Sequence, residues 1–391
     1  MKILLVAEGV RELGDLATGA GATGAVWIRR LLAAEPDHEL EVVPFVLPRL
    51  RQLEKGPRGE DENAARAVRE ARRQGCDGLV FLRDADGDPE DRRRKNAAGL
   101  AMERAAGPPA VLGIQIQVME TWLLADVDSF ERVLKVRPAL PKPPEQLWGR
   151  PRTLSHPKEV YNRAVLQATG RNQRDTAIRL AEEANLDVLA RECPEGFGRF
   201  RADFERAFPM FDCVVAADRA DGIGTDNDLP WPALKTDLDH VRDLTSKAAP
   251  GKRNAIIMGR KTWESVPANQ RPLRNRLNVV ISRGTVELAG DAIPARSLDD
   301  ALTQASQAED VDKLFVIGGA EIFRQAFAHV RCRDVVLTRI DYEFNDVDAH
   351  IPSVMERFEL IEPGTMVEES GFEFRIERWR RRPLVTIRRR P

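Results

Sequence analysis

One carboxylate and three loops carry the residue types best suited to chemistry. Behind the loop Gly222-Ile-Gly-Thr-Asp-Asn-Asp-Leu-Pro-Trp231, the residues Leu234, Leu238, Val241 and Leu244 recur at helical spacing, and Asp237 falls on their face. A carboxylate on an apolar face is costly unless paired, and desolvation raises its pKa, as proton delivery requires. The alternative is a first-turn Asp satisfied by free backbone N–H groups. Three apolar runs end in groups that suit phosphate. Residues 255–259 lead into Arg260-Lys261-Thr262, two cations and a hydroxyl at a helix start. Residues 278–281 end in Ser282-Arg283, and residues 314–317 end in Gly318-Gly319 before a helical pattern over 320–327. Such a glycine pair lets backbone approach a diphosphate closely. Each loop alone is weak, because glycine pairs at helix starts are often only turns. Three at successive strand ends beside one buried-face carboxylate are a much stronger signal.

A second group of acids lies near the amino terminus. Glu8 ends the first apolar run, Asp84, Asp86 and Asp88 follow the run 78–82, and Glu120 follows the run 110–118. Just past the carboxyl ends of parallel strands, such residues converge on one crevice, where Mg²⁺ relieves their repulsion. The competing reading makes Asp-Gly-Asp a turn and Glu120 a helix cap. Gly19-Ala-Gly21-Ala-Thr-Gly24 is a literal GxGxxG, but it starts too far beyond its strand and lacks the acidic residue a ribose needs, so it reads as a loop. His38, His156, His240, His329 and His350 show no metal-ligand spacing.

The elements that must position these groups alternate. Strands are expected over 2–7, 39–47, 78–82 and 110–118, and helices over 22–34, 61–74 and 89–105, which argues for a mostly parallel sheet covered by helices. The proline-rich stretch 137–157 cannot be a long helix. Helices are expected over 158–168, 174–190 and 195–207. At 211–217 a fresh strand restarts the alternation, which puts a boundary near residue 208. The Arg-rich end after Trp379 reads as a frayed, solvated tail.

Bulk composition narrows the class. The 391 residues predict two to three domains at about 150 each. Apolar residues at 42% can build a core, and a net charge of −2 gives no global reason to bind nucleic acid or anionic membrane. No apolar run approaches the ~18 residues of a membrane span. The opening run is too short for a signal peptide and meets Glu8. The four scattered cysteines have no CxxC, so reduced thiols and a cytoplasmic setting are expected, without membrane partners.

Residues 211–380 resemble the dihydrofolate reductases along their whole length. The matching pieces are Val-Val-Ala-Ala (214–217), Gly-Ile-Gly…Leu-Pro-Trp (222–231), Ile-Met-Gly-Arg-Lys-Thr-Trp-Glu-Ser (257–265), Arg-Pro-Leu-Arg-Asn-Arg-Leu-Asn (271–278), Val-Ile-Ser-Arg (280–283), Ser-Leu-Asp-Asp-Ala-Leu (297–302), Val-Ile-Gly-Gly (316–319) and Leu-Thr-Arg-Ile (337–340). The resemblance implies NADPH-dependent reduction of 7,8-dihydrofolate, with hydride to C6 of the pterin and a proton to N5. It makes Asp237 the acidic pocket residue and Trp231 its catalytic neighbour. Val215, Ala216, Leu229, Leu238, Val241, Arg276 and Thr338 are implied on the substrate side, with Arg276 gripping the carboxylate of the glutamate tail. Ala216, Ile223, Gly224, Arg260, Lys261, Thr262, Ser282, Arg283, Arg296, Gly318, Gly319, Ala320, Glu321, Ile322 and Phe323 are implied on the NADPH side. Val241 is smaller than the family's common Phe, and Phe323 replaces the usual tyrosine. A related pterin or pyrimidine reductase would share the fold, but Leu-Pro-Trp followed by Asp237 argues against it.

The first half resembles Toprim-like proteins of a bacterial family, through Glu8, Asp84-x-Asp86 and Glu120-x-Trp-Leu-Leu-Ala-Asp126. That resemblance implies Mg²⁺ held by Glu8, Asp84, Asp86 and Glu120, with nucleic acid as a partner class. The expected fold is α/β in two domains. A Toprim-like sheet with a helical extension spans 1–207, a reductase-like domain with a mixed central sheet spans 208–383, and a basic tail spans 384–391. An effector that processes nucleic acid, with the reductase fold sensing folate or NADPH, is the alternative to a working folate enzyme.

Overall fold

The computed structural model describes residues 1–8, 23–32, 40–47, 59–85, 95, 98–99, 102, 107–147, 156–170 and 174–382. The chain divides into two units, Met1–Phe208 and Pro209–Pro391. In the first, β1 (Lys2–Ala7), β2 (Glu41–Val46), β3 (Gly78–Ala85) and β4 (Ala110–Ile116) form an all-parallel sheet in the order β2-β1-β3-β4. Ile3 to Ala7 are all buried, as expected of strands covered on both faces. Helix α1 spans Thr23–Leu31 and α2 spans Glu60–Arg73. Ala64, Ala67, Val68 and Ala71 of α2 pack with Leu4, Val6 and Phe81 of the sheet.

The helical extension departs from expectation in three places. A short α3 (Glu120–Leu123) and α4 (Val127–Leu134) precede the proline-rich stretch, and the Asp126 carboxylate caps α4 by accepting from Ser129 N at 3.0 Å. After α5 (Pro157–Thr169), the single helix expected over 174–190 is two, α6 (Arg174–Glu183) and α7 (Leu186–Glu192). Asn185 causes the break, because its side-chain oxygen accepts from Asp187 N at 2.9 Å and starts α7. The helix expected from Glu195 opens as a π turn, Pro194–Gly198, before α8 (Arg199–Ala207). Of the helix expected over 89–105, only residues 95, 98–99 and 102 are described, all helical.

The second unit holds a nine-stranded mixed sheet. Its strands are β5 (Phe211–Ala217), β7 (Arg253–Gly259), β8 (Arg276–Ile281), β9 (Ile293–Ala295), β10 (Val311–Gly318), β11 (Cys332–Ile340), β13 (Phe358–Glu362), β14 (Val367–Glu369) and β15 (Phe372–Arg381). The order is β13-β15-β11-β5-β10-β7-β8-β9, with β14 on β15. Two short strands, β6 (Gly222–Gly224) and β12 (Ala349–His350), pair apart from it. The core run from β11 to β9 is parallel, and β15 is antiparallel to its partners. The helices are α9 (Lys235–Ser246), α10 (Arg260–Ser265), α11 (Leu298–Gln307) and α12 (Ala320–Ala328).

Period-two alternation sends the strand residues to two cores. Cys213, Val215, Ile257, Val279 and Val316 pack with Leu298, Leu302, Ile322 and Phe323 of α11 and α12. Val214, Ile256, Met258, Val280 and Phe315 pack on the other face with Trp263, Val241 and Leu244. Because β5, β7, β8 and β10 run parallel, their carboxyl ends lie along one edge, where the three candidate loops sit. The tail expected to fray after Trp379 does not do so at once. β15 runs on to Arg381, which is buried and donates to Cys332 O, Phe327 O and His329 O, each at 2.8 Å. The basic tail 384–391 lies outside the described residues.

Candidate active site

Asp237 occupies the third position of α9, and only 6% of it is exposed. Its Oδ1 accepts from the Thr338 hydroxyl on β11 at 2.6 Å. Thr338 is itself buried and stands in register with Ala216 of β5. Burial pushes the Asp237 carboxyl above the usual carboxylate range, the Thr338 bond and His240 oppose that rise, and the like charge of Glu369 adds to it. Asp237 is therefore not the cap of its own helix. Leu234 holds the cap position with no side-chain bond, and the Glu369 carboxylate of β14 accepts from Lys235 N at 2.5 Å and Thr236 N at 3.0 Å.

Around this carboxylate the apolar groups differ in burial. Trp231 is buried with Leu234, Ile340 and Phe374, and its ring lies 5.9 Å from that of Phe344. Leu229 and Leu238 are 45% and 50% exposed, so the apolar spacing of α9 does not mark a wholly buried face. Val241 is half-buried against the sheet. Val215, expected beside the substrate, sends its side chain into the α11/α12 core, while Ala216 packs on the Trp231 side. Alternation along β5 imposes that difference.

Arg276 begins β8 and is half-buried. It donates through Nη1 to Thr245 Oγ1 at 2.8 Å and through Nε to Arg274 O at 3.0 Å. Burial and the nearby Arg242 hold its pKa below the usual arginine value. Among the described residues no carboxylate pairs with it, so its fork remains available to an anion. Thr245, which steadies Arg276 from α9, gave no sequence signal.

The loop residues share the carboxyl edge of the sheet. The Gly318–Gly319 peptide is cis, and Gly318 has φ 127°. A Cβ on Gly319 would lie 3.2 Å from Thr262 Oγ1, and one on Gly318 would lie 3.2 Å from the Phe323 ring. The pair thus forms a bare backbone cradle beside a hydroxyl and an aromatic edge. Lys261, in the first turn of α10, and Arg283, past the end of β8, are exposed, and the bonds from Arg324 and Gln325, with the charge of Arg283, hold the Glu321 carboxyl below its usual range. Arg296 donates to Arg283 O at 2.9 Å, and Ser282 is buried with its Oγ accepting from Gly284 N at 3.3 Å. Two expected contacts are otherwise engaged. Arg260 pairs with Glu264 at 2.9 Å, and Glu321 pairs with Arg324 at 2.6 Å, both exposed pairs of small worth. Ile322 is buried in the core, and Ile223 packs on that core while Gly224 pairs with Ala349.

The amino-terminal acids present a different picture. The Arg83 guanidinium donates to Glu8, just past β1, and also pairs with Glu60 at the start of α2 at 2.7 Å, so a cation of the protein already sits against Glu8. Lys95 Nζ donates to the backbone oxygen of Asp84, and Glu120 is buried at the start of α3. Among the described residues no three acids, histidines or cysteines are placed to hold a metal, and Asp86 and Asp88 lie outside them. Of the rejected glycine motif, Gly24 lies in α1, while Gly19 and Gly21 lie outside the described residues. All four cysteines are free and buried. No helix among the described residues is long and apolar enough to cross a membrane.

Comparison with known proteins agrees with the second unit. Residues 210–381 match the family model for dihydrofolate reductase. The dihydrofolate reductase of Sus scrofa is 36% identical over 179 residues, 42% of this chain and 94% of the relative. That of Gallus gallus is 34% identical over 183 residues, covering 44% and 96%. The viral dihydrofolate reductase of Saimiriine herpesvirus 2 is 33% identical over 178 residues, covering 43% and 83%. Through residues 210–381, this chain belongs to the dihydrofolate reductase family.

Proposed function

We propose that the second unit reduces 7,8-dihydrofolate to tetrahydrofolate, with Asp237 as the residue that holds the pterin and supports proton delivery to N5. The observation that carries this reading is a buried carboxylate, Asp237, whose side-chain hydrogen bond is to the neutral Thr338 hydroxyl and not to a cation. Its second oxygen is left to meet the amino group and ring nitrogen of a pterin. Its raised pKa keeps a proton in the pocket at higher pH than an exposed Asp could. Trp231, fixed by its neighbours, and the exposed Leu229 and Leu238 give the ring an apolar surround. Arg276 receives the tail carboxylate.

The bare Gly318-Gly319 cradle, the Thr262 hydroxyl and the exposed Lys261 and Arg283 fit NADPH, with Ser282 and Arg296 beside them. When bound, NADPH supplies the hydride. The chain's own part is to orient both ligands, exclude water around Asp237 and hold the proton there. Loss of NADPH absorbance on adding dihydrofolate to the full chain is the expected result, and a folded protein with no turnover would instead favour a sensor.

For Met1–Phe208 we propose a Toprim-like sheet, supported by parallel strands with Glu8 and Asp84 at their carboxyl ends. Glu8 is paired with Arg83 and no three acids among the described residues are placed to hold a metal, so no chemical step is derived there. Calorimetry with Mg²⁺ and cleavage of DNA or RNA, each compared with Asp84→Ala, test the metal and the nucleic-acid alternative.

A further inference from the structure

We propose that Glu369 is a positioning residue for the reduction, clamping the first turn of the helix that presents Asp237. The inference rests on the reading of Asp237 given above. α9 opens with no side-chain cap of its own, which leaves its first N–H groups to find partners elsewhere. Glu369 accepts from two of them, with Oε1 on Lys235 N at 2.5 Å and Oε2 on Thr236 N at 3.0 Å. It comes from far along the chain, at the end of β14, before the Ser370-Gly371 turn into β15. Both turn residues have positive φ, 54° and 83°. The same hairpin packs Val367, Phe372 and Phe374 against Trp231 and Leu234. One hairpin therefore fixes the helix start through hydrogen bonds and the tryptophan through apolar contact.

The clamp also carries charge. The groups that act on Asp237 are the Thr338 hydroxyl from β11, His240 from α9 and the Glu369 carboxylate from β14, and of these only Glu369 raises its pKa. Replacing Glu369 with a neutral side chain removes that contribution and leaves the partial positive charge of the helix start uncompensated. Both effects favour the ionised Asp237, so its pKa falls and the alkaline limb of activity moves to lower pH.

The test measures pH profiles of kcat and of kcat/KM for dihydrofolate in the full chain, with Glu369→Gln, Glu369→Ala and Asp237→Asn. Glu369→Gln keeps one of the two acceptor oxygens, so it removes the charge while retaining half of the clamp. The expected result is a limb about half a pH unit lower in both Glu369 variants. Glu369→Ala should also lose severalfold in kcat/KM on the acid plateau, a loss that Glu369→Gln shares only in part. Adding Glu369→Ala to Asp237→Asn should move no limb. Profiles of both Glu369 variants that superpose on the wild type overturn the inference, as does an equal shift in the Asp237→Asn background. Wild-type turnover by Asp237→Asn would instead overturn the site reading beneath it. Glu369→Gln retains the fold if its NADPH-binding titration matches the wild type, which keeps the test decisive even if Glu369→Ala does not fold.

Discussion

At the residue scale the protein separates two demands on one carboxylate, burial and availability. Asp237 is buried yet keeps an oxygen free, because Thr338 takes one oxygen and Glu369 relieves it of capping duty. Asp237→Asn should fold and bind NADPH but lose about a hundredfold or more in turnover at neutral pH, read by NADPH absorbance. Stability should move the other way. The folded-state pKa of Asp237 is raised, so its favourable contribution is fully present below the unfolded pKa and is lost as pH rises through the folded value. Urea unfolding should therefore show Asp237→Asn gaining on the wild type above that range and losing the gain in acid. Arg276→Leu should raise KM for dihydrofolate about 10- to 100-fold with kcat little changed, the worth of one charge-assisted bond. Asp237 was legible in the sequence as a carboxylate on an apolar face, and Arg276 only through the family resemblance. Glu369 and Thr245 were not, because each acts across the fold and neither belongs to a local pattern.

At the element scale, what was legible followed local chemistry. In the second unit β5, β7, β8 and β10 announced themselves as apolar runs, and the loops after β7, β8 and β10 showed as glycine, hydroxyl and cation. Strands β9, β11 and the charged β15 did not announce themselves. Arg378 and Arg380 both reach the fully buried Asp334, at 2.9 Å each, so the end of the central strand β15, past Trp379, reads in sequence as an Arg-rich tail. The split at Asn185 was hidden for the opposite reason, since the helical pattern continues across it and only the cap reveals the break. The loop after β10 gives the element-scale prediction. Gly318→Ala places a side chain at φ 127° with its Cβ 3.2 Å from the Phe323 ring and 3.4 Å from Thr262 Oγ1. It should cost about 1–3 kcal/mol of stability and weaken NADPH binding, measured by thermal unfolding and fluorescence titration. Unchanged NADPH affinity in a folded variant would remove the cradle from the site.

At the scale of the whole molecule, the near-zero net charge concealed two separate organisations. Each unit has its own sheet and its own buried core: Leu4, Val6, Ala64 and Phe81 in the first, and Cys213, Ile257, Val316 and Leu302 in the second. Chains built on independent cores unfold in separate cooperative steps. A ligand stabilises only the unit it binds, by about 2.7 kcal/mol at a hundredfold excess over its dissociation constant. Calorimetry of the full chain should therefore show two transitions, of which NADPH raises one. Asp84→Ala should shift only the other, and leave kcat for dihydrofolate unchanged. If NADPH moved both transitions together, or if Asp84→Ala altered turnover, the halves would be energetically coupled despite their separate cores. The amino-terminal unit would then regulate the reductase rather than merely share its chain.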